Sequence, residues 1–214
     1  MEVDPSNRAT GARADAAFVA VAAAGGIVEV VFTDFRHGSW DVFRARSEDG
    51  GTTFAPAERI DPPAAEVTHR ATGRTVEAER LHAYPAVVLN EAAPVILWSD
   101  LADRRRDTHV AWQQGGVTRR LDGAPPGRDA WRPAAAGDGA RWFAVWQDLR
   151  EGSSAVWLAA DGVEVGRVSD LGPGGSAFAP QVAAGAQGVV VAWEDYRSGQ
   201  ARIRLSGPVT IEGP

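Results

Sequence analysis

Residues 193–199 read Trp193-Glu194-Asp195-Tyr196-Arg197-Ser198-Gly199, W-E-D-Y-R-S-G, and a near copy, W-Q-D-L-R-E-G, stands at Trp146–Gly152. Two more divergent copies precede them, F-T-D-F-R-H-G from Phe32 and W-S-D-L-A-D-R from Trp98. Thirteen residues before the opening aromatic lies Pro85, Pro133 or Pro180 in the last three copies, with Val19 at the same place in the first. The aromatics are 48 and 47 residues apart from Trp98 onward, but 66 apart between Phe32 and Trp98. The motif is therefore the mark of a repeat, with an insertion in the first interval.

Each unit has the grammar of a small antiparallel sheet. In the last, P-Q-V-A-A (Pro180–Ala184) reads as a first strand and V-V-V-A-W-E-D (Val189–Asp195) as a second. R-I-R-L (Arg202–Leu205) and P-V-T-I (Pro208–Ile211) read as a third and fourth, with A-Q-G and R-S-G-Q as turns. The unbroken apolar second strand calls for cover on both faces. No helical periodicity is sustained. Four four-stranded units at this period predict an all-β chain of β-propeller type, with blades over 16–60, 83–122, 131–169 and 178–212 and an insertion at 61–82. Residues 1–15 read as a flexible leader, or Glu2-Val3-Asp4 as an addition to a sheet edge. The apolar run Ala16–Phe32, broken by Gly25-Gly26 and Glu29, falls in register with the repeat as a strand pair. It is not a membrane span.

The first unit carries S-E-D-G-G-T-T-F, Ser47–Phe54. Asp49 and Ser47 are placed to accept turn N–H groups, Gly50 and Gly51 supply positive φ, and Phe54 packs back on the sheet, with Thr53 part of the same motif. This stretch resembles the Asp-box of sialidase-like, BNR-repeat propellers, where the box closes the hairpin between the third and fourth strands of a blade. The repeated aromatic-x-Asp-x-Arg-x-Gly segments look like those of bacterial secreted or cell-surface members. The resemblance implies a propeller, and an extracellular or surface location with no export signal in this chain.

If each blade runs from inner to outer strand, the turns between second and third strands share one end with the inter-blade links, and the Asp-box lies at the other. Asp34, Asp100, Asp148 and Asp195, with Arg36, Arg104, Arg150 and Arg197, then crowd one face beside the long link. That face is the candidate binding surface. The same pairs also serve as turn caps and Arg–carboxylate forks, which repetition in every blade favours. The second copy, D-L-A-D-R, displaces Arg104 and is the first place to look for function.

Composition excludes other classes. A net charge of −6, with one dense basic run at Arg104–Arg106 between Asp103 and Asp107, argues against nucleic acid. There are no cysteines. His37, His69, His82 and His109 lack metal-ligand spacing and read as exposed loop histidines, and nothing calls for a cofactor. Trp98, Trp146 and Trp193 read as blade-to-blade packing; Trp40, Trp112, Trp131 and Trp157 are less tightly fixed by the repeat and open to partial exposure. The resemblance would also imply a sialidase apparatus: an arginine cluster, a Tyr nucleophile paired with Glu, and an Asp acid/base. Only Tyr84 and Tyr196 are available, and Tyr196 sits where the other copies have Phe35, Leu101 and Leu149. No F-R-I-P-like segment precedes the first blade. The reading is a non-catalytic binding or scaffold module for a saccharide or protein, with a sialidase-like glycoside hydrolase as the alternative. Four blades allow a four-bladed ring, a ring completed by a second copy, or part of a larger propeller; open edges invite homo-oligomers.

Overall fold

The computed structural model describes residues 15–63, 66–68, 75–77, 81–91, 93–101, 108–125, 127–172 and 175–209. It is all-β. The first sheet contains β1 (Ala16–Ala24), β2 (Ile27–Asp34), β3 (Asp41–Ser47) and β4 (Glu58–Arg59). A two-stranded hairpin, β5 (Glu66–Thr68) and β6 (Thr75–Glu77), follows within the stretch expected as a polar loop. The second sheet has β7 (His82–Val88), β8 (Val95–Asp100), β9 (His109–Gln114) and β10 (Val117–Arg120). The third has β11 (Ala130–Gly137), β12 (Trp142–Asp148), β13 (Ala155–Ala160) and β14 (Val163–Arg167). The last has β15 (Ala177–Gly185), β16 (Gly188–Asp195) and β17 (Arg202–Val209).

Every sheet is antiparallel and in chain order from first strand to last. The last departs from the four-strand expectation. Val209 pairs with Val189 past a register shift, so Pro208 and Val209 extend the third strand instead of opening a fourth. Residues 210–211, the rest of that expected strand, lie outside the described residues, as does the expected leader up to residue 14.

The sheets stand side by side. β1 lies against β7, β7 against β11, and β11 against β15; no comparable contact joins β15 to β1 among the described residues. Tryptophans fill the spaces between sheets, because each second strand is apolar on both faces. Trp98 packs with Val31 and Val42 of the first sheet. Trp146 and Trp142 pack with Val95, Leu97 and Trp112 of the second, and Trp193 with Val145 and Leu158 of the third. Trp98 and Trp146 are wholly enclosed. A ring so enclosed removes on the order of 200 Å² from water, about 5 kcal/mol of gross burial. Trp112, expected to be less fixed, is also buried, tilted 5.0 Å from Trp142.

One irregularity recurs in all four sheets. The ladder between first and second strands shifts register between Ala17 and Ala20, Ala83 and Ala86, Trp131 and Ala134, and Phe178 and Gln181. The first residue of each bulge, Phe18, Tyr84, Arg132 or Ala179, has a left-handed φ of 51°, 53°, 54° or 47°. The next is Val19, Pro85, Pro133 or Pro180. The proline at the fixed offset thus occupies a bulge position, where a missing N–H costs no ladder bond.

Candidate functional site

The motif aspartates end the second strands, and three are held in the same way. The Arg36, Arg150 and Arg197 backbone N–H groups donate to Oδ1 of Asp34, Asp148 and Asp195 at 2.7, 2.8 and 3.0 Å. Each guanidinium turns back on its own carboxylate, at 2.8, 2.6 and 2.7 Å. Arg36 and Arg150 are nearly enclosed, and Arg197 less so. Arg150 also forks onto Glu164 at 2.8 and 2.7 Å and lies 3.8 Å over Trp157. Burial works against its charge, but the bonds to Asp148 and Glu164 outweigh that and raise the guanidinium above its ordinary value.

Asp100 is held differently. Arg104 lies outside the described residues. Across the ladder Asp34, Asp148 and Asp195 face Ala16, Ala130 and Ala177, but Asp100 faces His82 on one side and His109 on the other. His82 Nδ1 and His109 Nε2 each stand 3.6 Å from an Asp100 oxygen. His82 is fully buried, not the exposed loop histidine the spacing implied; its N–H bonds the Trp40 carbonyl and its Nε2 lies 3.3 Å from Asp61. Asp61 accepts the Val42 N–H and the Arg59 guanidinium. Burial opposes its charge, yet these partners and His82 hold its carboxyl below the usual range. The neighbouring Asp41, paired with Arg59 and Ser39, is pushed up by burial. This network joins the first sheet to the second. His69 lies outside the described residues, and among those described no group of three or more His, Asp or Glu is placed to hold a metal ion.

The turn at Ser47–Phe54 lies between β3 and β4 and is fully bonded. Ser47 Oγ donates to Asp49 and accepts the Gly51 N–H, at 2.8 and 2.9 Å. Asp49 accepts the Thr53 N–H and hydroxyl at 2.8 and 2.6 Å, which lower its pKa to about 2. Phe54 packs beside Phe32 and Phe43.

The four bulges converge on one cleft of about 280 Å³, lined by Phe18, Tyr84, Arg132, Ala179, the residues that follow them, and Gln181. Phe18 and Tyr84 tilt together at 4.8 Å, and the Arg132 guanidinium lies 4.8 Å over the Tyr84 ring. Side chains of adjoining sheets fix two bulges: Ser99 Oγ accepts the Arg132 N–H and Gln147 Oε1 the Ala179 N–H, both at 2.9 Å. Sequence reasoning missed this cleft. The available signal was the residue before each proline, which has a common backbone and no common side chain.

No family model and no curated protein matches the sequence. Solved structures match its fold. The chain is similar to a Trypanosoma rangeli sialidase mutant with trans-sialidase activity, at a TM-score of 0.57 and 12% identity, over 84% of this chain and 34% of that one. It is similar to a Hadza microbial sialidase at 0.55 and 12%, over 96% and 46%. It is similar to an exo-beta-1,3-galactanase from Phanerochaete chrysosporium at 0.53 and 13%, over 82% and 43%. The protein thus spans 34–46% of the length of these three.

Proposed function

We propose that the chain is a four-blade β-propeller portion that binds carbohydrate without cleaving it, and that the sugar seats in the cleft formed by the four bulges. One observation carries this reading: Phe18, Tyr84 and Arg132 line a single cleft whose described lining includes no carboxylate. Aromatic faces take the apolar C–H face of a sugar ring, and the guanidinium and the Gln181 amide offer donors to its hydroxyls or to an acidic substituent. Glycosidic cleavage ordinarily needs paired carboxylates, or a Tyr nucleophile with its Glu. Three of the four motif carboxylates, Asp34, Asp148 and Asp195, are instead committed to Arg36, Arg150 and Arg197. The likeness to a sialidase and a galactanase supports a glycan as the ligand class, on fold alone. The left-handed conformation of all four bulge residues, none of them glycine, supports a functional use of the bulges, since such strain persists where surrounding structure holds it.

The test is a glycan array followed by calorimetry on the wild-type chain, Tyr84→Ala and Arg132→Ala, with an aryl-glycoside hydrolysis screen alongside. The expected result is binding without turnover and roughly tenfold weaker binding in each variant, a change of about 1.4 kcal/mol. Unchanged affinity in both variants, or turnover by the wild type, would overturn the proposal.

A further inference from the structure

Among the described residues, the last sheet has one face without cover. The third sheet turns Phe143, Val145, Val156 and Leu158 toward the last, where they pack with Val182, Val189, Val191 and Trp193. In register, the last sheet repeats that outward face as Val190, Ala192, Ile203 and Leu205. Val156 and Leu158 are 0% exposed, whereas Ile203 and Leu205 are 72% and 70% exposed. The same rung positions are core in one sheet and bare in the next.

The first sheet carries the complementary face. Its residues in the register of Val182, Ala184, Val189, Val191 and Trp193 are Val21, Ala23, Val28, Val30 and Phe32. Phe32 and Val30 already cluster with Phe43 and Phe54, but Val21 on the inner strand is 64% exposed. A polar match accompanies the apolar one. Ser99 and Gln147, each just before a motif aspartate, accept the bulge N–H of the following sheet. Glu194 holds that position in the last sheet, paired across the ladder with Ile203 on the bare face. The corresponding bulge residue of the first sheet is Phe18.

We propose that the bare face of the last sheet docks the first sheet of a second copy of this chain, head to tail. Leu205, Ile203 and Val190 then meet Val21 and its neighbours, and the Glu194 carboxylate accepts the Phe18 N–H of that copy. The contact repeats, position for position, the one that already joins the third sheet to the last. Because the two faces differ, the interface is heterologous, and it yields a ring or an open array according to whether the rotation closes. Large uncovered aliphatic side chains in one patch are the ordinary mark of such a contact.

Analytical ultracentrifugation of the whole chain across a broad concentration range tests this. The wild type is expected to form dimers or larger species, and Leu205→Asp and Val21→Asp each to sediment as monomers. Mixing these two variants should restore a dimer and nothing larger, since each keeps one intact face. Ile203→Asp is an independent tail-face variant, and melting curves establish that each variant folds. A wild type that stays monomeric throughout overturns the proposal. So does self-association of Val21→Asp alone, which would mean pairing of two tail faces.

Discussion

Arg150→Met is the sharpest test of what the repeated Asp and Arg do. The guanidinium bonds Asp148 at 2.6 and 2.9 Å and Glu164 at 2.8 and 2.7 Å, and Asp148 is fully buried. Methionine fills a similar volume, so the loss is mainly electrostatic: a buried carboxylate keeps its place without its cation. Breaking such a pair costs about 3–5 kcal/mol in a fully enclosed site. The Arg150 side chain is 13% exposed, which places the expected loss near the lower figure, about 3 kcal/mol. For a chain of this length that corresponds to roughly 6–12 °C in melting temperature. Thermal unfolding followed by circular dichroism, with urea titration as a second measure, reads it directly. Arg150→Met with Asp148→Asn should recover part of the loss, because the fully buried carboxylate is then neutral and only the partly exposed Glu164 is left without its cation. Arg197→Met, at a more open site, should lower the melting point far less. If Arg150→Met melts within about 2 °C of wild type, the fork is not holding the strand end, and Arg150 is free to serve a ligand.

Two further outcomes follow from local geometry. The depressed carboxyl of Asp49 contributes stability that is present above about pH 4, the unfolded carboxylate value, and is lost as pH falls toward its folded value of about 2. Melting temperature against pH should therefore fall more steeply between those limits in wild type than in Asp49→Asn, and equal slopes would remove the turn bonds as the cause. Gly162 has φ +81°, and a Cβ there would meet Trp112 at 2.6 Å. Gly162→Ala should cost about 3 kcal/mol by denaturant titration, from left-handed strain and overpacking together, and a loss below about 1 kcal/mol would show that Trp112 yields freely.

The repeat was legible because Trp98, Trp146 and Trp193 all solve the same problem, filling the space toward the preceding sheet at one register. The strands followed from the apolar runs around them. The bulges were not legible. The prolines read as strand openers, and a left-handed backbone at Phe18, Tyr84, Arg132 or Ala179 has no side-chain signature, since glycine would have been the signal. His82 was misread for a similar reason. Its burial depends on Asp61 and Asp100, which are 21 and 18 residues away in the chain, and no local spacing announces them. The fourth strand expected from Pro208 onward instead begins as a continuation of the third, because the ladder to Val189 runs past Gly207-Pro208.

Repetition of identity and repetition of backbone have different consequences here. Where side chains repeat, as at Asp34, Asp148 and Asp195 with their arginines, the same bonds close the same turn in each sheet, and the charges are spent within it. Where the backbone repeats but the side chains differ, the fold asks only for the left-handed bulge and leaves chemistry open. Phe18, Tyr84, Arg132 and Ala179 use that freedom to present two aromatic faces, one cation and one gap to a single cleft. A symmetric ring of identical groups would meet an asymmetric sugar poorly, whereas four unlike groups on one rigid frame can fix its orientation. The Asp100 site shows the same logic in the opposite place: the sequence has Ala102 where the other copies have arginine, two histidines flank the carboxylate, and close contacts reach across to the first sheet through Asp61. The motif that reveals the repeat therefore holds the frame, and under the proposed function selectivity falls to the four positions that the motif leaves unspecified.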